Sequence, residues 1–231
     1  MPTFDTPAPV AVTLDIPLGD VRIEAGDRVD TVVEVRPSDP DRRGSVAAAE
    51  STRVDYADGR LSVRSPKGRK PFGLRAGDSI DVLVALPAGS TLKAEGGVTH
   101  LIAGGRLGEV TVKIGVGSIR LDETGPATLR LGAGDISLGR ACGHADVSSG
   151  SGAVRLGTID GTAAIKNSNG AIDVEEVTRD LRIKAANGSI TVGTARATTS
   201  AKTAMGDIRI GEVHGGVVVA ETAMGAVEIG V

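Results

Sequence analysis

The chain has few aromatic residues and a single cysteine among its 231 residues. Its aromatic side chains are Phe4, Tyr56 and Phe72, and tryptophan is absent. Thick β-sandwich cores usually contain aromatic anchors, so a core of Val, Ile, Leu and Ala indicates a thin, stacked structure. Because Cys142 has no second cysteine to pair with, the chain can form neither an intrachain disulfide nor a cysteine-rich metal site.

A strong net charge and long apolar segments are also missing. The 26 basic and 29 acidic residues give a formal net charge of -3, which does not favour a general attraction to nucleic acid. No apolar segment approaches the roughly 20 residues of a membrane-spanning helix, and the first residues lack the basic and apolar segments of a signal peptide. We therefore expect a cytoplasmic protein without a transmembrane segment.

Glycine, in contrast, is abundant, and it marks an internal repeat. A phrase of the form Gly-x-Ile-x-Leu, with Val or Ile as variants, returns seven times between Gly117 and Val231. Its glycines are Gly117, Gly134, Gly152, Gly170, Gly188, Gly206 and Gly225, spaced by 17, 18, 18, 18, 18 and 19 residues. A unit this short cannot bury its own apolar side, but it can do so by stacking on its neighbours.

Each repeat contains two short alternating strands. We predict that their apolar residues face inward and that intervening residues such as Arg182 and Arg209 face solvent. The inward positions predicted for three successive coils are Ile172, Val174, Val177, Leu181 and Ile183; Ile190, Val192, Ala195, Thr199 and Ala201; and Ile208, Ile210, Val213, Val217 and Val219. The repeating glycines are expected at corners where φ turns positive.

This pattern predicts an all-β fold, a parallel β-solenoid (β-helix) with coils of about 18 residues, right-handed according to the general crossover rule. We assign residues 96–231 to regular solenoid repeats and residues 1–95 to a less regular β portion continuous with them. In that N-terminal portion, Asp58-Gly59 predicts a tight hairpin, and Ser45 to Arg53 is a candidate helix.

Three lysines, Lys166, Lys184 and Lys202, occupy the same position in successive coils. Stacking is expected to place their ammonium groups side by side, which is unfavourable for like charges. The row is therefore either a solvated face or a site that holds an anion. Lys113 occupies the equivalent position earlier in the chain, but Gly132 and Ser148 are expected to interrupt the row between them.

A strongly basic segment lies outside the repeat. We interpret its residues Lys67, Arg69, Lys70, Phe72 and Arg75 either as a contact loop for phosphate or an acidic partner, with the phenylalanine as anchor, or as a solvated loop.

The last repeat phrase is a candidate self-association edge. Val227 and Ile229 begin a coil, and no amphipathic helix follows to cover them. Unpaired strands at the end of a solenoid invite association, so this edge is expected either to pair with another chain, giving a dimer or a fibre, or to be blunted by solvent.

The remaining polar residues do not suggest an active site. The histidines are too scattered for a metal site; they are His100, His144 and His214. Cys142 is expected to be a buried corner residue without an activating histidine. Asp20, Asp135 and Asp207 follow coil glycines, where a turn role is expected. We predict no catalytic residue, no metal site and no cofactor.

The repeat phrase at this spacing resembles a bacterial β-strand-repeat domain family of unknown function, often labelled as candidate adhesins. The opening segments Leu18-Gly-Asp-Val-Arg-Ile23 and Val84-Ala-Leu-Pro-Ala-Gly89 add to the resemblance, which covers nearly the whole chain. The resemblance implies the solenoid fold and supplies no catalytic residues, and the adhesin label implies surface exposure.

These observations lead to three functional hypotheses. The first is a non-enzymatic structural or interaction scaffold that self-assembles end to end, with a protein or a second copy as partner. The second is a binding module for an anionic cell-envelope polymer or acidic partner. The third is a glycan-active solenoid enzyme, which the lack of aromatic sugar platforms and of an evident pair of carboxylates across a groove disfavours.

Overall fold

The computed structural model describes residues 2–66 and 78–230. It is an all-β parallel solenoid of about eight turns, with about 18 residues per coil, 70% strand and 4% helix. The predicted fold class is confirmed. The chain divides into two compact units, Met1–Gly117 and Ser118–Val231. Of the helices in the described part of the chain, none has the length and apolar character needed to cross a membrane.

The first unit combines parallel coils with antiparallel additions. Its elements are β1 (Thr3–Asp5), β2 (Ala11–Gly26), β3 (Asp30–Pro37), α1 (Arg43–Ser51), β4 (Arg53–Ala57), β5 (Arg60–Arg64), β6 (Ile80–Pro87) and β7 (Thr91–Arg106), and β8 (Val110–Thr124) contains the boundary between the units. The long strand β2 pairs in parallel with β5, β6 and β7. Strand β3 pairs antiparallel with β1 and β6.

The predicted hairpin and helix are both present in this unit. Strands β4 and β5 pair antiparallel, and Asp58 and Gly59 between them have φ angles of 49° and 73°. Positive φ at both central residues is what a tight two-residue hairpin turn requires. Strand β4 also carries Tyr56, whose ring centroid lies 4.9 Å from that of Phe4 on β1.

The second unit consists of two stacks of parallel strands. Its strands are β9 (Ala127–Ala141), β10 (Ala145–Ser151), β11 (Val154–Ile159), β12 (Ala163–Asn169), β13 (Ile172–Val177), β14 (Leu181–Asn187), β15 (Ile190–Ala195), β16 (Thr199–Met205), β17 (Ile208–Val213), β18 (Val218–Met224) and β19 (Val227–Ile229). Strands β10, β12, β14, β16 and β18 form the even sheet. Strands β11, β13, β15, β17 and β19 form the odd sheet. The long β9 pairs with both β10 and β11.

Equivalent residues of successive coils lie in register, as the repeat predicts. Ile172 pairs with Ile190, and Ile190 pairs with Ile208. All three are at most 1% exposed. Parallel strands lie about 4.8 Å apart, so each inward column is a continuous line of aliphatic side chains that only stacking can bury.

The glycine corners set how closely the coils approach each other. From Gly134 to Gly225, the six repeat glycines have φ angles between 124° and 144°. A Cβ atom on Gly188 would lie 2.2 Å from the carbonyl oxygen of Gly170 in the preceding coil. The corners from Gly152 to Gly225 therefore need glycine both for the backbone conformation and for the close backbone contact, which confirms the predicted corner role.

Two of the predicted inward positions are wrong. Val217 and Val219 are 64% and 37% exposed. The register instead pairs Val218 with Thr199 and Ala220 with Ala201. The last spacing is 19 residues, so one extra residue precedes β18, and a shift by one residue moves every side chain of a strand to its opposite face.

We predict that Gly188→Ala destabilises the protein, because alanine at this corner combines a strained φ with a backbone clash. The strain alone costs about 1–3 kcal/mol, and the clash adds to it. Gly26→Ala is the matched control, since no atom lies within 4 Å of its added Cβ and its φ is not positive. Urea unfolding followed by circular dichroism measures both variants. Equal stabilities of the two variants would contradict the corner role.

Candidate functional site

The stacked register brings the three predicted lysines together on the outer face of the even sheet. Lys166 on β12 pairs with Lys184 on β14, which pairs with Lys202 on β16. All three side chains are exposed. With strands about 4.8 Å apart, the three residues form a row about 10 Å long across three coils. We call Lys166, Lys184 and Lys202 the lysine row.

Different residues continue this column at its two ends. Ser148 pairs with Lys166 on one side and with Arg130 on the other. The prediction that Gly132 occupies this column was wrong, because the residue 18 positions before Ser148 is Arg130. At the opposite end Glu221 pairs with Lys202, and its Oε2 atom lies 2.8 Å from the lysine Nζ.

The charges of the lysine row are only partly compensated. Within residues 2–66 and 78–230, Lys166 and Lys184 form no ion pair, and only Lys202 has an acidic partner. Two adjacent ammonium groups without a counter-charge are electrostatically unfavourable. The even sheet thus keeps positive charge that an external anion can neutralise.

Four arginines along the odd sheet and its corners have acidic partners in neighbouring coils. These pairs are Arg140–Asp160, Arg155–Asp135, Arg196–Glu176 and Arg209–Glu228, with N–O distances of 2.5, 3.8, 2.5 and 2.9 Å. The hydrogen bond to Glu228 raises the pKa of Arg209. The corresponding bond to Asp160 raises the pKa of Arg140. Cross-coil ion pairing is therefore common on this side, whereas Lys166 and Lys184 lack it within the described ranges.

The final coil exposes residues that belong to inward columns. Val227 and Ile229 pair with Ile208 and Ile210. The two earlier residues are 1% exposed, whereas Val227 and Ile229 are each 44% exposed. In the described part of the chain, β18 and β19 each pair with a strand on one side only. We call Val227, Ile229 and the free edges of these two strands the terminal coil surface.

Other exposed apolar residues cluster near the terminal coil surface. Among the described residues, ten large hydrophobic side chains are exposed, and six of them lie between positions 205 and 229. Those six are Met205, Val217, Val219, Met224, Val227 and Ile229. A concentration of this kind marks an interaction surface more often than scattered single residues do.

The predicted basic contact loop cannot be placed. Lys67, Arg69, Lys70, Phe72 and Arg75 all lie outside the described residues, so its role stays a prediction.

The register gathers polar residues in the first unit that the sequence did not connect. Asp20 on β2 pairs with Asp81 on β6 and with His100 on β7. They line a depression of about 400 Å³ together with Arg22 and Ile102. Its remaining lining residues are Val21, Glu34, Arg36, Val82 and Leu83. The sequence could not reveal this row because β3, α1, β4 and β5 lie between β2 and β6 in the chain, and the spacing of the three residues does not follow the 18-residue period.

Two predictions about individual polar residues have different outcomes. The Oδ1 atoms of Asp135 and Asp207 accept hydrogen bonds from the backbone N–H groups of Ala153 and Ala226, each at 2.8 Å. This confirms their structural role at coil corners. Cys142, in contrast, is exposed and not buried, because it lies in the turn after β9, where its Sγ is 3.6 Å from Glu123 Oε1.

The described residues contain no group of three or more His, Cys, Asp or Glu side chains arranged to hold a metal ion. His144 and His214 are exposed at separate corners, as expected for surface residues.

Comparison with solved structures identifies similar folds. A candidate adhesin from Parabacteroides merdae is 14% identical, with 97% of this chain and 94% of that chain covered and a TM-score of 0.51. A candidate lipid-binding protein from Parabacteroides distasonis is also 14% identical, with 98% and 95% covered and a TM-score of 0.57. At this identity the likeness shows the fold alone.

Comparison with protein families gives a more specific result. No curated protein matches the chain. The model of the family described as Toastrack DUF4097 matches residues 12–222, which confirms the resemblance to a repeat family of unknown function and candidate-adhesin type. The chain therefore belongs to the Toastrack DUF4097 family.

Proposed function

We propose that this protein is a non-enzymatic interaction scaffold that associates with a second copy of itself through the terminal coil surface. Membership of a candidate-adhesin type family supports an interaction role. The observation that carries the proposal is the exposure of Val227 and Ile229, which stand in columns whose preceding members, Ile208 and Ile210, are buried.

The chemistry of the terminal coil surface favours a second copy as its occupant. Within one chain, each coil is covered by a coil of the same repeat, with aliphatic residues over aliphatic residues and parallel backbone hydrogen bonds. A strand from a second copy has the same alternation of aliphatic and polar residues. It can therefore supply both the aliphatic contacts and the backbone hydrogen bonds that the exposed edge lacks. The outward acids Glu221 and Glu228 already have partners in the preceding coil, so covering the edge does not require new counter-charges for them.

We predict that Val227→Ser/Ile229→Ser weakens self-association by about tenfold or more. Removing two partly buried aliphatic side chains from an interface costs at least about 1.4 kcal/mol, which corresponds to a factor of ten. Sedimentation velocity over a concentration series measures the association. Val29→Ser/Val98→Ser is the control, because Val29 and Val98 are also exposed valines, at 66% and 45%, but lie in the first unit.

Two results would contradict self-association. One is a wild-type protein that stays monomeric at the highest attainable concentration. The other is a Val227→Ser/Ile229→Ser variant that associates as strongly as the wild type and the control while keeping its circular dichroism spectrum.

A second candidate function is the binding of an anionic polymer by the lysine row. The absence of ion pairs at Lys166 and Lys184 within the described ranges favours it, since four arginines along the odd sheet and its corners are paired. A polymer can contact several cations at once, so that individually weak contacts together give a measurable affinity. This affinity falls with salt, because salt screens exposed charges.

We predict that Lys166→Gln/Lys184→Gln weakens binding to dextran sulfate several-fold at low salt, because each exposed charge contact contributes about 0.2–1 kcal/mol. Lys93→Gln/Arg106→Gln is the control, because it removes the same charge from two exposed basic residues of the first unit. Fluorescence anisotropy with labelled polymer measures the affinities. Equal losses in both double variants would show that net charge, and not the lysine row, governs binding.

A further inference from the structure

We infer that the ligand of the lysine row is a linear acidic polysaccharide lying along the stacking direction, and that Arg182 is a further binding residue. This inference rests on the second proposed function, the binding of an anionic polymer. It specifies the class of polymer, the direction in which the polymer lies and one further contact, Arg182, which does not share the repeat position of the lysines.

Arg182 adds a fourth cation beside the middle of the lysine row. It lies two residues before Lys184 on β14, and residues two apart on a strand share a face. Arg182 is exposed, and within the described ranges it forms no ion pair. Its register partners are Ala164 and Ser200, which are diagonal neighbours of the lysines. The guanidinium thus stands among small uncharged residues next to three ammonium groups.

Small side chains leave the surface beside the row open. The outward residues on one side of the lysines are Ala164, Arg182 and Ser200, and those on the other side are Ser168, Ala186 and Ala204. Apart from Arg182, these residues are Ala or Ser, so no long side chain covers the ammonium groups. A ligand can therefore lie flat on this surface, with its charges over the lysines and its uncharged parts over the small residues.

The stacking fixes the direction of the ligand. The cations repeat from coil to coil, about 4.8 Å apart, and not along a single strand. Asp146 bounds the Arg182 column one coil before Ala164, and Glu221 bounds the lysine row after Lys202. An extended anion that follows the cations across the coils avoids both acids, whereas one that runs along a strand meets only Arg182 and Lys184.

The residues around the row favour an acidic polymer that carries hydroxyl groups over other polyanions. Three of the four cations are lysines, whose point charge attracts any acidic group and does not select carboxylate over phosphate or sulfate. Single-stranded nucleic acids bind through aromatic stacking in addition to charge, and the outward positions around the row carry no aromatic residue. The serine hydroxyls on both sides can exchange hydrogen bonds with sugar hydroxyls.

The test compares three polyanions at equal charge concentration and low salt, using the full chain. The probes are labelled polygalacturonate, with polyphosphate and polyglutamate as competitors. We expect polygalacturonate to bind more tightly than either competitor and its affinity to fall steeply with salt. Arg182→Gln should weaken polygalacturonate binding by roughly two- to fivefold, the effect of one exposed charge contact.

Arg179→Gln is the matched control. It removes the same charge from an exposed arginine three residues away, in the turn that precedes β14, and should leave binding unchanged. Equal effects of Arg182→Gln and Arg179→Gln would overturn the role of Arg182. Tighter binding of polyphosphate or polyglutamate would overturn the polysaccharide class while leaving anion binding in place. Binding of none of the polymers, including dextran sulfate, would end both proposals.

Discussion

The close backbone contact at the glycine corners is the constraint on which the structure of the second unit depends. From Gly152 to Gly225, each repeat glycine combines a positive φ with a distance to the preceding coil that leaves no room for a Cβ atom. Because the corners stack directly above one another, the strands of both sheets stay in register. Equivalent aliphatic residues of successive coils therefore pack against each other. Hydrophobic burial stabilises the stack, but the corners determine which residues meet.

Stacking in register has opposite consequences for inward and outward residues. Repetition stabilises the inward columns, since equivalent aliphatic side chains of successive coils pack against each other. Repetition destabilises an outward column when the repeated residue is charged, because like charges then lie next to each other. At four arginines of the odd sheet and its corners, opposite charges in neighbouring coils resolve this conflict, as in Arg209 and Glu228. The lysine row leaves the conflict unresolved at Lys166 and Lys184, which is why it is a better candidate for ligand binding than the paired arginines.

A structural feature could be predicted from the sequence when it follows the 18-residue repeat, and could not be predicted when it departs from that repeat. The solenoid, its inward columns through Ala201 and the adjacency of the lysines all follow from an 18-residue spacing, and the structure contains them. Val217 and Val219 were misplaced because a 19-residue spacing changes the facing of a whole strand. The exposure of Cys142 depends on the local path of one turn, which the period does not specify. The row of Asp20, Asp81 and His100 joins segments of different length, so no sequence spacing indicates it.

The register of successive coils can be tested directly by nuclear magnetic resonance on protein with labelled isoleucine methyl groups. The structure predicts cross-peaks between Ile172 and Ile190 and between Ile190 and Ile208, which are register partners, and none between Ile172 and Ile208, which are two strand spacings, about 10 Å, apart. A folded sample that lacks the first two cross-peaks, or that shows the third without them, would contradict the stacked solenoid.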